Sequence, residues 1–505
     1  MLSVLLLSLL ASPPDVARLR WISPDNSRQL TFRQWRSDRG PTPAWSVKRI
    51  ASSGSTFDDR VDVLVESALL PGLQPWIDTL CADLAAEGWT VRAFSVSGTQ
   101  PESLRAFLRA ELDSGLLAAT FVGDLPVAWF QMIDDWNSNG SRDPDEGYEE
   151  FPCDLYFMDL DGHWRDEFIR LDTLDSLVPG TDGILDIHAG SREPEIGISR
   201  LPASAIGGAD TLLRKYLSRC HAYRNGRLPV ADRALVYIDD DWFPNAPGWD
   251  ANVGMLYDRR VSIWDRETTR VADYRPRIDT AAYQWIQLCS HSWPGGHAMK
   301  FNNGQSWDWF YATQIPALNP DACFYNLFAC SNARFVERGY CGGMYVFTSS
   351  SGLAAVGSTK TGSMLEFQDF YGPLSFGDPL AFAFRYWFYD RIANGVQPWE
   401  QAWFYGMCLI GDGMLKPRVP QTALAELPAP STPRPAPGAT VVRGILEVPG
   451  PLLDARQPLL LDAAGRPVMT LSVGSNDIRQ LPTGVYFIAH PGRTINPCRP
   501  VRLIR

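Results

Sequence analysis

The feature that most constrains this chain is a strand and helix alternation that begins at Val61 and restarts past residue 230. VDVLVES, the amphipathic run Gln74–Glu87, WTVRAFSV, the run Pro101–Ser114 and AATFVGD follow one another in that order. Short apolar runs spaced by helical segments predict parallel strands with helices on the sheet faces. After a basic, polar stretch between Arg224 and Arg233 the pattern resumes, with ALVYID, VSIW, WIQLCSH, CFYNLFAC and GLAAVGS as strands. Two doubly wound α/β units in tandem are expected, over residues 61–225 and 226–417.

Beyond them the texture changes. Residues 418–438 (RVPQTALAELPAPSTPRPAPG) are rich in Pro and Ala without periodicity, as an extended linker is. Residues 439–505 carry short alternating runs (VVRGILEV, PLLLD, PVMTLSV, GVYFIAH, RPVRLIR) between Gly, Pro and Asn-Asp turns, which predicts a small β-sandwich. At the other end, MLSVLLLSLLA followed by Ser-Pro-Pro matches the apolar core of an export signal over residues 1–20, although no basic residue precedes Arg18. A buried strand is the alternative. Residues 21–60 read as an N-terminal segment, either a propeptide or an added strand. No later run reaches the ~18 apolar residues of a bilayer span, so no stable membrane span is expected. With 46 Lys+Arg against 57 Asp+Glu, a net charge of −11 and no long basic run, nucleic acid is not expected as a partner. Nine cysteines stand singly with no CxxC pair, which argues against a zinc knuckle or a disulfide framework.

Chemistry concentrates at His291 and Cys330. Each lies just past a strongly apolar strand, and the carboxyl ends of parallel strands are where α/β sheets bind ligands. An imidazole beside a thiol can take its proton and later protonate a leaving amine, while the Cys330 amide and a donor after His291 would form an oxyanion hole. A small core cysteine is the plain alternative. Cys289, His291 and His297 lack a fourth ligand at zinc-motif spacing.

The segments QLCSHSWPGGH, FYNLFACSNARF, GLAAVGSTKTGSM, FVGDLP, DLYFMDLDG, PEIGISRLPAS and, later, LIGDGMLKP occur in family order across roughly residues 60–417, and they resemble the gingipain family of cysteine peptidases. The resemblance implies two tandem caspase-like subdomains, with Cys330 as nucleophile, His291 as general acid/base and Glu195, in PEIGISR, orienting the imidazole. Ser292 stands where the family carries Gly after the histidine. His297, six residues on, is the second candidate base. By the same resemblance Asp210 falls near a substrate-pocket carboxylate, although an acid early in a helix is stabilised there anyway, and STKTGSM forms a pocket wall in which Lys360 either meets an acidic group or faces solvent. The function implied is a secreted or surface endopeptidase acting on proteins or peptides. The alternative is a degenerate peptidase fold that binds peptides, glycans or a partner, and a transpeptidase-like processing factor is a third reading.

DWNSNGSRDPDE fits the calcium-loop pattern, placing Asp135, Asn137, Asn139, Asp143 and Glu146 at ligand positions, with the Ser141 carbonyl as a further donor and Gly140 at the sharp turn. Ca2+ is therefore the expected structural cofactor, outside any EF-hand pair. Asp159-Leu-Asp161-Gly162 and Asp239-Asp240-Asp241 could add ligands, or serve as turns and helix caps. The terminal module, through Asp462–Arg466, Asn476-Asp477 and Pro482–Tyr486, resembles immunoglobulin-like tails of secreted bacterial proteins, which implies contact with bacterial secretion machinery; a plain spacer has the same texture.

Overall fold

The computed structural model describes residues 19–40, 43–53, 59–140, 143, 146–170, 177–392 and 395–418, and, of the C-terminal part, 440–442, 445–448, 459–461, 467–472, 474–481, 484–489 and 499–503. The signal-like residues 1–18 and nearly all of the linker lie outside them. Residues 1–420 and 421–505 form two units.

The first unit includes the strands β1 (Ser46–Ser53), β2 (Arg60–Glu66), β3 (Thr90–Ser97), β4 (Leu116–Val122), β5 (Trp129–Ile133), β6 (Tyr148–Pro152), β7 (Gly197–Leu201), β8 (Ala234–Ile238), β9 (Arg260–Ile263), β10 (Tyr283–Cys289), β11 (His291–Trp293), β12 (Gly296–Phe301), β13 (Ser306–Tyr311), β14 (Ala322–Phe328), β15 (Ala354–Ser358) and β16 (Met407–Gly411), besides four three-residue strands between Met158 and Gly190. Eleven of them form one sheet in the order β1-β3-β2-β4-β7-β16-β15-β14-β10-β8-β9. Helices cover both faces, so β8, β10 and β14 are buried at every residue and read as nearly continuous apolar runs, interrupted by Gln284, Gln287 and Asn326. The flanking helices follow from local signals: Pro101–Leu112 opens on a proline and buries Leu104 and Leu108, four residues apart on one face.

The two α/β units expected from sequence share this sheet. Strands β2, β3, β4, β7 and β16 run parallel, as do β15, β14, β10, β8 and β9, and the halves meet where β16 pairs antiparallel with β15. The carboxyl ends of the second half therefore open on the same edge as the amino end of β7. Of the N-terminal segment, β1 is an added edge strand, antiparallel to β3. Residues 19–39 are bound in by Gln29, whose Nε2 donates to Glu149 at 3.1 Å, and by the Leu30 amide on Glu337 at 2.7 Å.

The second unit holds a five-stranded sheet (Thr440–Val442, Arg499–Leu503, Gly484–Ala489, Leu459–Leu461, Pro467–Thr470 in spatial order) and a two-stranded one (Ile445–Val448 with Gly474–Asp477). Leu446, Leu460, Leu471 and Ile478 are buried there. The turns at 462–466 and 482–483 lie outside the described residues.

Candidate active site

Strands β10 and β14 are parallel neighbours with Cys289 level with Phe328. His291 and Cys330 each stand two residues further on, so the register delivers both side chains to one edge on strands ~4.8 Å apart. Two bonds fasten the loops together: the Ser290 amide donates to Phe328 O at 3.0 Å, and the Ser292 hydroxyl donates to the Cys330 carbonyl. The Ser292 departure from the family pattern thus ties the His291 loop to the Cys330 backbone. Past Cys330 the chain turns sharply at Ser331, a non-glycine residue at φ 53°, a conformation that needs support from its surroundings. Asn332 supplies it, through Nδ2 on Leu327 O at 3.0 Å and on Ala329 O, and the Ala333 amide donates to Ser358 O at 2.9 Å.

The imidazole's partner comes from the short 3-10 helix Asp240–Asn245 that follows β8. His291 Nε2 lies 2.8 Å from Asp241 Oδ2, and Lys300 Nζ lies 2.6 Å from the same oxygen. The hydrogen bond with His291, ahead of the one from Lys300, holds the Asp241 carboxyl down to about 2. The neighbouring Asp239 carboxylate accepts the Asp241 and Lys300 amides at 3.2 and 3.1 Å, which sets the turn carrying Asp241. Burial pushes Asp239 itself up to about 7.

Cys330 alone among the eight described cysteines is not fully buried; all eight are free thiols. Burial of its sulfur pushes the thiol up to about 11, against a hydrogen bond from the Gly362 amide. Beside it lies a closed charge cluster. Lys360 Nζ is 2.8 Å from Asp134 Oδ1 and 3.1 Å from Glu149 Oε2, all three side chains with no exposure. Burial alone would depress the ammonium, but the two carboxylates outweigh it and Lys360 sits above its ordinary value. Glu149, which also accepts from Thr361, is held low against its own burial. Asp134 goes the other way, pushed well up by burial. Lys360, read from sequence as meeting either an acidic substrate group or solvent, is thus committed inside the protein. Tryptophans close the surroundings: Trp242 lies 5.8 Å from the His291 ring and 4.9 Å from Phe328, and Trp403 stacks on Phe328 at 6.0 Å.

One sequence expectation changes, and two alternatives, His297 as base and Asp210 as a pocket carboxylate, lie elsewhere. Glu195 does not orient His291. It precedes β7, four strand spacings or ~19 Å from β10, its Oε2 accepts the Leu160 amide at 2.6 Å, and its oxygens gather with those of Asp159 and Asp161; burial pushes it up to about 7. The imidazole is already satisfied by Asp241, a residue read from sequence only as a turn, cap or calcium ligand. His297 does not serve Cys330: on the buried face of β12 it lies 3.3 Å from Cys341 Sγ, and burial holds it down at about 3. Asp210 is a half-buried helix residue paired with Arg214. A cleft of about 860 Å³ lined by Trp35, Arg39, Asp124, Arg200 and Glu337 opens at the opposite sheet edge and includes neither catalytic candidate.

In the calcium-type loop the Asp135 carboxylate accepts the Asn139 and Gly140 amides, both at 3.1 Å, and Gly140 takes φ 68°. Asn137 and Asn139 donate side-chain amides to Asp143 at 2.7 and 3.3 Å, and Glu146 accepts from Trp136 and Asp143 amides at 2.8 Å. Five of the six expected ligands therefore point into one loop; Ser141 lies outside the described residues. The Asn137 oxygen accepts the Asn139 amide at 3.0 Å, and the carboxylates and amide oxygens of the loop are the hard donors that a calcium loop uses.

A thiol and an imidazole–carboxylate pair at the strand ends of an α/β sheet define a candidate cysteine hydrolase. The profile of peptidase family C25 matches residues 73–418, and the chain belongs to this gingipain family of cysteine peptidases. Its structure is similar to the Arg-specific cysteine proteinase gingipain R (RgpB), at 11% identity and TM-score 0.49 over 88% of this chain and 98% of the other. It is also similar to the complex of Porphyromonas gingivalis RgpB pro- and mature domains, at 10% identity and TM-score 0.48 over 88% and 100%. No curated protein matches the chain.

Proposed function

We propose that the protein is a secreted cysteine endopeptidase in which Cys330 is the nucleophile, His291 the acid/base and Asp241 the residue that orients it. The observation that supports this most is the equal register of His291 and Cys330 on adjacent strands, with the imidazole's far nitrogen already engaged. Because Nε2–H is directed at Asp241, Nδ1 is left as the basic nitrogen. As Sγ attacks the scissile carbonyl, Nδ1 takes the thiol proton; it then delivers that proton to the leaving amine as the C–N bond breaks, leaving a thioester. Water, deprotonated by the same nitrogen, breaks the C–S bond and restores the thiol. The thiol is neutral at rest, so it ionises as substrate binds and not beforehand.

Ca2+ would be held by Asp135, Asn137, Asn139, Asp143 and Glu146, neutralising the carboxylates that crowd the loop between β5 and β6. The loop is also anchored elsewhere: the Ser138 hydroxyl accepts the Trp399 amide at 3.0 Å, and the Trp136 ring lies 4.9 Å from Lys360 Nζ. Export by the apolar N-terminus, and sorting or attachment by the C-terminal unit, complete the reading. Incubating the purified chain with a mixed peptide library, calcium and reductant, beside Cys330→Ala, tests it: new peptide termini absent from the variant are expected. An intact library with folded protein favours the binding-module alternative.

A further inference from the structure

The sheet formed by β11, β12 and β13 has an unusual face. Its registers are His291 with Ala298 and Trp309, Trp293 with Gly296 and Tyr311, and Lys300 with Trp307. Directly opposed residues share a face, so one face carries His291, Trp293, Lys300, Trp307, Trp309 and Tyr311. The other face, with His297, Met299 and Phe310, is buried. An antiparallel sheet with one covered face ordinarily turns polar residues outward. Here SWDWFY does the reverse, setting Trp307 (36% exposed), Trp309 and Tyr311 (42% exposed) outward.

The rings form one connected layer. Trp307 lies 5.2 Å from the His291 ring and stacks on Trp309 at 5.9 Å, while Trp293 meets Trp309 and Tyr311 edge-on at 5.7 and 5.8 Å. Small residues let them lie flat: a Cβ on Gly295 would meet the Trp293 indole at 2.5 Å. Lys300 Nζ sits 4.9 Å over Trp307 while holding Asp241, so the layer and the imidazole's carboxylate share a side chain. From the Lys300 rung to the Gly296 rung is four residues, ~14 Å, the length of about four residues of extended peptide.

We infer that this aromatic face, contiguous with His291, is the binding surface for the leaving-group half of the substrate, favouring polypeptides with large apolar or aromatic side chains just C-terminal to the scissile bond. The inference rests on the peptidase reading. Its occupant follows from the chemistry: the acyl half stays on Cys330, whereas the amine half must lie where His291 delivers the proton, and this face starts at His291. Rings of Trp and Tyr bury large area at low entropic cost and rank among the strongest contributors to peptide affinity.

The test uses the full chain and peptide pairs identical up to the cleaved bond, carrying Phe-Leu or Gly-Ser after it. The expected kcat/KM ratio favours Phe-Leu by about tenfold, the order for burying one large apolar side chain. In Trp309→Ala/Tyr311→Ala the ratio falls towards one, while Trp309→Phe/Tyr311→Phe restores it. A ratio near one in the unaltered chain, or an unchanged ratio in the alanine variant, overturns the inference. A variant that merely folds poorly lowers both rates and leaves the ratio intact, which also counts against it. Failure of the peptidase reading looks different: neither peptide is cut and Cys330 is not labelled by a peptidyl electrophile.

Discussion

Replacing Lys360 by Met removes the cation from a site where two carboxylates have no exposure. Breaking a buried pair from one side typically costs ~3–5 kcal/mol, because a charge is left without compensation. Burial pushes Asp134 well up and so disfavours its charge, whereas Glu149 is held low; the cost is therefore set by one stranded charge, Glu149, at about 4 kcal/mol. Unfolding entropy of about 2.1 cal/mol/K per residue over roughly 400 residues gives ~0.8 kcal/mol/K, and Tm falls by about 5 °C. The pH dependence has a definite sign. Glu149 is held low in the native protein, so its contribution is present above the unfolded value near 4.5 and fades as pH falls through the lower folded value. Without Lys360 the buried carboxyl instead titrates above its ordinary value, so the variant recovers on protonation. The Tm difference is therefore larger at pH 8 than at pH 5, and Lys360→Met/Glu149→Gln regains most of it. Calorimetry at both pH values checks this; an equal loss at both, or no rescue by the double variant, would refute the charge argument.

Three further outcomes are expected. Asp241→Asn lowers kcat for peptide hydrolysis by about fivefold with little change in KM: the carboxyl's displacement to about 2 is shared between His291 and Lys300, and solvent screening reduces it to ~1 kcal/mol; steady-state kinetics beside Lys300→Met measures it. Because the Cys330 thiol lies near 11, its alkylation by iodoacetamide in the free protein rises about tenfold per pH unit between pH 7 and 10, and a rate already flat at pH 7 would mean a preformed thiolate. Chelation lowers Tm, calcium restores it, and Asp135→Ala/Glu146→Ala abolishes the response in differential scanning fluorimetry.

The placement of His291 and Cys330 at one sheet edge was legible because strand ends are legible. YQWIQLC and ACFYNLF are apolar at nearly every position, and whatever follows such runs in a parallel sheet reaches the ligand-binding edge. The carboxylate that pairs with the imidazole was hidden in Asp239-Asp240-Asp241, three identical side chains of which the backbone turn directs only the last at His291. Glu195 was misread because it enters β7 at the same sheet edge but four places too far along, with β16, β15 and β14 between β7 and β10. The pairing of β7 with β16 joins residues some 200 apart in sequence (Arg200 with Ile410) and leaves no local periodicity. Lys360 looked like a loop cation because its partners, Asp134 and Glu149, sit on a hairpin of the first half. The outward aromatic face was present as SWDWFY, but alternation alone does not say which face meets the core.

The most direct measurement of the central claim is intact-mass analysis of the chain exposed to a peptidyl acyloxymethyl ketone, followed by mapping of the modified residue. The account predicts one adduct, on Cys330, formed quickly in the unaltered protein and slowed strongly in His291→Ala but not in His297→Ala. Modification elsewhere, or equal rates in both histidine variants, would contradict the assignment of Cys330 and His291 as nucleophile and base.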